Sequence, residues 1–366
     1  MDRAKRYNNI KLGLSLSRSF LGWIFLLLIV LTGATRVVEG WTHSITASST
    51  LALLLFASIF GFLNLILFFP LTFYNGYVLE HRYELSNYTL KSFFWENIKA
   101  LFVGLVIGVP LLVIFYFFLK TYGNDWWIPV GIFLFFFSVI LGRLAPTLIL
   151  PLFYKFVPVE DERVADLVRK RCESVGMKVE GIFQFDLSKT TKKANAAFTG
   201  IGRSKRIILG DNLIHNFTLE EIDAVLAHEL GHFKKKHLWK MMAVGTVSTF
   251  IGLYLVSLAY SEWVVGLGFG SLTRLAGLPL LGLLMGIYSF VTGPVQNIIS
   301  RHHERKADQF SREMLEGKSE FMISALRKLA EQNLADRDPN PVVEFLFHSH
   351  PSIKHRIEYL DPVTVK

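Results

Sequence analysis

Long apolar blocks alternate along the chain with shorter polar ones. The apolar runs cover Phe20–Thr35, Leu51–Phe73, Ala100–Leu119, Trp127–Phe153, Met241–Tyr260 and Leu278–Ile299. A helix rises about 1.5 Å per residue and the hydrocarbon core of a bilayer is about 30 Å thick, so each run predicts a membrane span. The first run follows the basic residues Arg3, Lys5, Arg6, Lys11 and Arg18. It lacks a small-x-small cleavage site, which predicts an uncleaved span and not a signal peptide. Residues 154–240 have a different pattern. Helical periodicity covers 159–175, and the short apolar runs Gly181–Phe185 and Arg206–Leu209 read as strands. Ala194–Gly200 reads as a third strand or an extended edge. Residues 300–366 read as mostly helical, with a loop at Asp336–Pro341. The predicted organisation is four spans in 1–153, a polar segment in 154–240, two spans in 241–299 and a C-terminal segment in 300–366. The fold class is predominantly α: a polytopic helical membrane protein with a small α+β domain.

Composition agrees with that picture. Of 366 residues, 51% are hydrophobic and 32 are Phe, an excess concentrated in the blocks. The formal charge of +9 has no basic stripe with interleaved aromatics outside the spans, which argues against nucleic-acid binding. Lys and Arg alternate between loops. The loop at 39–50 has none and the loop at 261–277 only Arg274, whereas the N-terminus, 74–99, 154–240 and the C-terminal segment are basic. Both termini and both polar segments are thereby expected on the cytoplasmic side. Trp41, Trp126, Trp127 and Trp263 fall at the opposite span ends, where aromatic belts lie. The single Cys172 rules out an intramolecular disulfide and a Cys-based zinc site, and its surroundings suggest an idle buried thiol. Arg143 and Asn64 are polar groups inside apolar blocks, expected to face a cavity or, for Arg143, to reach the interface.

One polar stretch carries chemistry. Thr218–Lys240 contains His228-Glu229-Leu230-Gly231-His232, an HExxH motif. Thr218 with Glu221 forms a capping-box pattern, and Ile222, Val225, Leu226 and Leu230 recur at helical spacing. On a helix, His228 and His232 stand one turn apart on one face and can ligate one Zn²⁺, while Glu229 can reach a water there as general base. A five-residue match also arises by chance, so a third ligand is needed. Ser300–Asp308 at the end of the sixth run offers His302, His303 and Glu304, and spacing alone does not choose among them. Asp308, one turn after Glu304, can orient a ligand imidazole. His237, just past the motif, can support a ligand imidazole, but an interfacial residue beside Lys234–Lys236 is the favoured reading.

HELGH followed by SRxxExxAD (Arg301, Glu304, Asp308) resembles the integral-membrane zinc metalloproteases that include the CAAX prenyl endopeptidases and the HtpX-type stress proteases. Asp186–Ala197, Lys205–Ile214 and the HPxxxxR pattern at His350–Arg356 are similar to the CAAX prenyl branch, and Tyr83–Asn87 more loosely so. The resemblance implies a zinc endopeptidase with Zn²⁺ on His228, His232 and Glu304 and with Glu229 as base. It implies His350 as the donor to an oxyanion, Arg356 nearby, and Asn195 holding an extended substrate along 195–200. It also implies a peptide or protein substrate, prenylated or membrane-attached, met at the lipid surface. Two departures stand out: six spans where eukaryotic members have seven, the N-terminal one missing, and Thr190 and Ala194 in place of Arg and Ser. Alternatives are a quality-control protease for membrane proteins and, more remotely, a transporter or channel with a vestigial zinc site. The intact HExxH with a carboxylate partner argues against the last.

Overall fold

A computed structural model of the chain describes residues 2–199 and 206–361. Helix α1 (Arg3–Leu31) starts inside the basic stretch, because the Asp2 carboxylate accepts the Ala4 N–H at 3.4 Å and caps it. It stops short of Thr35: Gly33, at φ +75°, turns the chain into α2 (Ala34–Ile45). Helix α2 occupies what reads as a loop in the apolar pattern, because its buried stripe is polar: Thr35, Glu39 and Thr42. Glu39 is only 2% exposed and accepts the Leu275 N–H at 2.9 Å and Arg274 Nε at 3.0 Å. Helix α3 (Ser49–Phe73) continues through a wide turn at Tyr74–Val78 into α4 (Leu79–Arg82). Helices α5 (Leu90–Tyr122) and α6 (Trp127–Leu144) follow, and α6 runs on through a wide turn at Ala145–Ile149 and a tighter one at Leu150–Leu152.

The polar segment opens with β1 (Phe156–Pro158) and α7 (Glu162–Ser174), then β2 (Gly181–Phe185), β3 (Ala196–Thr199) and β4 (Arg206–Gly210). Strand order is β1-β2-β4-β3, with β2 and β4 parallel and the outer pairs antiparallel. The three anticipated strands form; β1 was too short for its pattern to register. Gly200 and Lys205, part of the expected strand and of the similarity at 205–214, lie outside the described residues. Cys172 is buried in α7 with Val164 and Val168, and burial pushes its thiol up to about 11, as suits an unreactive core cysteine.

Helices α8 (Asp211–Asn216), α9 (Leu219–Lys234), α10 (His237–Gly266), α11 (Leu278–Met314), α12 (Ser319–Gln332), α13 (Pro341–Phe347) and α14 (Ile353–Leu360) complete the chain. Among the described residues six helices are long and apolar enough to cross a membrane, at the six predicted places. Their shared core includes Leu53, Tyr116, Leu253, Tyr260 and Leu280. Trp126 belongs to it too: 2% exposed and edge-on to Phe115 at 5.4 Å, it is a packing residue and not part of a belt. Trp41 and Trp263 stay about half exposed, as a belt requires. Arg143 is exposed in the last turn of α6.

Part of the contact between the membrane half and the polar half is made around residues 80–87. Ser86 bridges Thr191, and the Asn87 N–H reaches Thr190 O at 3.0 Å. Beside it, Glu80 is clasped by Lys11 at 2.7 Å, Lys193 at 2.9 Å and the Tyr7 hydroxyl at 2.5 Å.

Candidate metal centre

Helix α9 forms where the capping box places it. Thr218 Oγ1 accepts the Glu221 N–H at 3.3 Å and Glu221 Oε2 accepts the Thr218 N–H at 2.9 Å. Glu221 is buried, which opposes its charge, but Lys328, Ser324 and Thr218 together hold its carboxyl below the ordinary range. Ile222, Val225, Leu226 and Leu230 are buried against α7, β4 and α12. Lys236, at φ +56°, ends the helix and starts α10 one residue later.

Helix α11 lies directly on α9, and Gly231 is the reason the two backbones approach. A Cβ there would sit 3.0 Å from Ala307 Cα and 3.1 Å from its carbonyl oxygen. The close crossing brings Glu304, on α11, to the imidazoles of α9. Glu304 Oε2 is 3.4 Å from His228 Nε2, Oε1 is 3.3 Å from His232 Nε2, and the two Nε2 atoms are 3.2 Å apart. Donors at 2.0–2.1 Å from one tetrahedral ion stand about 3.3 Å from each other, so the spacing is that of a metal's ligand set. Glu304 Oε2 is buried without a hydrogen-bond partner, as an oxygen reserved for a cation would be. Of the three residues that spacing leaves open, Glu304 alone meets both imidazoles: His302 is exposed, and His303 is buried, stacked on His237 at 4.3 Å.

Gly231→Ala should test this crossing. Ala is better than Gly in a helix by about 1 kcal/mol, but overpacking costs roughly 1–3 kcal/mol and here the obstacle is backbone. The expected outcome is a lower melting temperature together with a reduced metal content. A variant as stable and as metal-loaded as the wild type would show that the spacing is set elsewhere.

Behind the ligand atoms, Asp308 Oδ1 lies 2.8 Å from His228 Nδ1 and fixes that ring with Nε2 pointing forward. Arg356 grips Asp308 with two bonds, 2.6 and 2.9 Å, and also comes within 3.2 Å of His228 Nδ1. Burial works against the Arg356 charge, and Asp308 more than offsets it. His232 is steadied differently. His237 is buried and not interfacial, and its Nδ1 is 3.1 Å from His232 Nδ1. Sequence periodicity had no means to show this, since the Lys run beside His237 reads as solvent-facing.

His350 enters from the chain's C-terminal part. Its side chain is 64% exposed and its Nε2 is 3.4 Å from Glu304 Oε1. Arg301 holds the preceding turn by donating to the carbonyls of Glu344 (3.0 Å) and His348 (2.5 Å), and Glu344 accepts the Ser352 N–H at 3.1 Å. Arg301 stood in the motif without an assigned task; the carbonyls it serves lie more than 40 residues on. A cavity of about 890 Å³ opens over the centre, lined by Glu229, His350, Phe198, Leu238, Trp239 and Met322 among others. Asn195 is not in that lining. It is exposed just before β3, and its carbonyl accepts the Gly210 N–H at 2.9 Å.

Residues 158–364 match peptidase family M48, and residues 1–155 match the family described as "CAAX prenyl protease N-terminal, five membrane helices". In that N-terminal stretch four helices are long enough to cross, and α2 is a fifth, shorter one. An uncharacterized metalloprotease of Bacillus subtilis, YhfN, is 27% identical over 98% of this chain and 84% of its own. CAAX prenyl protease 1 of Saccharomyces cerevisiae is 29% identical over 86% of this chain and 73% of its own. The Dictyostelium discoideum homolog of CAAX prenyl protease 1 is 30% identical over 80% and 69% respectively. Among solved structures, S. mikatae Ste24p superposes with a TM-score of 0.86 at 25% identity, covering 98% of this chain and 88% of that one. With its six apolar helices, the chain is an integral membrane metalloendopeptidase and belongs to peptidase family M48.

Proposed function

We propose that the chain is a zinc endopeptidase acting on the cytoplasmic side, cutting near the C-terminus of prenylated or otherwise membrane-attached chains. The observation that carries the metal assignment is the tetrahedral spacing of His228, His232 and Glu304. Two imidazoles and a carboxylate are a donor set that suits Zn²⁺, and the ion would polarise the scissile carbonyl and acidify a water. Glu229 lines the cavity beside these ligands and accepts the proton of the attacking water, then passes it to the leaving nitrogen. Asp308 and Arg356 keep His228 in the tautomer that presents Nε2. His350, on its braced turn, donates a hydrogen bond to the carbonyl oxygen as it gains charge. The β3 edge, with Asn195 at its start and Phe198 in the cavity wall, pairs with an extended substrate backbone. The organisation into a membrane region (1–153), a metalloprotease segment (154–240), a span pair (241–299) and a C-terminal segment (300–366) serves this by placing the centre where two spans emerge.

The substrate preference is supported by the match of the N-terminal residues to the CAAX prenyl protease description and by the apolar wall of Leu238, Trp239 and Phe198. Purified enzyme offered a farnesylated peptide and its unmodified counterpart should cleave the former with at least about tenfold higher kcat/KM, the return on one well-buried apolar group. Equal cleavage of both would favour a broader role in degrading membrane proteins. Cleavage of neither by metal-loaded protein would remove the reading.

A further inference from the structure

A second cavity, of about 920 Å³, lies between α3 and α5 and shares no lining residue with the catalytic one. It runs along α3 from Leu54 to Thr72 and along α5 from Phe94 to Leu112, about 27 Å on each helix, close to the thickness of a bilayer's hydrocarbon. Gly61, Gly104 and Gly108 are part of its lining, and at each an added Cβ would meet nothing within 4 Å, so the space beside them is open. Its walls are apolar apart from a few small polar groups, Asn64 and Asn97 among them.

Among the described residues Arg18 is the only ionisable one lining it, and it stands at the end nearer the catalytic half. Thr72 marks that end, since α3 continues from there to Glu80 and to the contact at Ser86–Thr191. The Arg18 guanidinium donates to Thr72 Oγ1 at 2.9 Å and lies over the Phe68 ring at 5.9 Å. It has no carboxylate partner among the described residues, so most of its five N–H donors remain for an outside acceptor. Arg18 is the last charge before the apolar run of α1, which sets it at headgroup depth.

We propose that this groove binds one anionic phospholipid, its phosphate on Arg18 and an acyl chain laid beside these glycines between α3 and α5. A cationic fork at the mouth of an otherwise uncharged, apolar groove is complementary to a lipid whose single charged part is its headgroup. The separation from the catalytic cavity favours a resident lipid over the lipid of a bound substrate. This site is independent of the prenyl preference proposed above.

The test is retention. Protein reconstituted in vesicles of phosphatidylglycerol and phosphatidylcholine, equal in amount, is re-extracted in mild detergent and weighed by native mass spectrometry. The expected result is one phosphatidylglycerol per chain, preferred over phosphatidylcholine, with retention lowered about tenfold or more in Arg18→Gln. Gly104→Leu should exclude either lipid, and metal content measured in parallel reports that each variant is folded. Equal retention of both lipids, or unchanged retention in Arg18→Gln, would overturn the proposal. So would displacement of the lipid by a farnesylated peptide, which would make the groove a substrate site.

Discussion

Glu229→Gln is expected to bind one metal ion per chain as the wild type does and to lose peptidase activity by about a hundredfold or more. The amide keeps the shape and the hydrogen-bonding reach of the carboxylate but takes up no proton, and general acid–base catalysis by one positioned group contributes about 10²–10⁴. Metal retention follows from the geometry, because the converging donors are His228, His232 and Glu304 and not Glu229. Steady-state rates on a peptide substrate and metal analysis of the same sample decide it. Activity within tenfold of wild type would take the proton transfer away from Glu229. Lost metal would instead make Glu229 part of the binding site.

Glu304→Ala is expected to release the metal. Its carboxylate bridges both imidazoles, and one oxygen is buried with no other partner. Altering groups that merely orient ligands weakens metal binding 10–100-fold, so removal of a ligand should cost more than about a hundredfold. His302→Ala is the control: exposed two residues before Glu304, on another side of the helix, it should leave affinity unchanged. Asp308→Asn should fall between the two, weakening binding within the 10–100-fold range through loss of the grip on His228. Chelator competition measures all three. Retention of metal by Glu304→Ala and its loss from His302→Ala would reverse the assignment.

These expectations rest on unequal amounts of sequence information. The HExxH helix was readable because its signals are local: a capping pair three residues apart, an apolar stripe and two His at one helical turn. The six spans were readable because a bilayer imposes a length on an apolar run. Glu304 and Asp308 were readable as a one-turn pair, but His302 and His303 were equally near in sequence. Only the rotation of α11 against α9 separated them. Elements whose buried face is polar escaped, as α2 did with Glu39 beneath it, and so did the three-residue strand β1. Trp126 and His237 were misplaced for a related reason. Their neighbours in sequence are interfacial or charged, whereas their neighbours in space are Phe115 and the imidazoles of His232 and His303.

By itself, then, the chain's sequence determined which segments are long and apolar enough to cross a membrane, which helix carries the candidate metal-binding pair and which short segment offers the partner carboxylate. Each of these depends on residues within a few turns of one another. The tertiary structure alone decided how close the two helices come, through the missing side chain at Gly231, and which oxygen faces which nitrogen. It alone set Arg356 on Asp308 from 48 residues away, His350 beside Glu304, and Asn195 outside the cavity. Contacts of that kind join positions whose separation along the chain bears no relation to any helical or strand period, so they exist only once the elements pack.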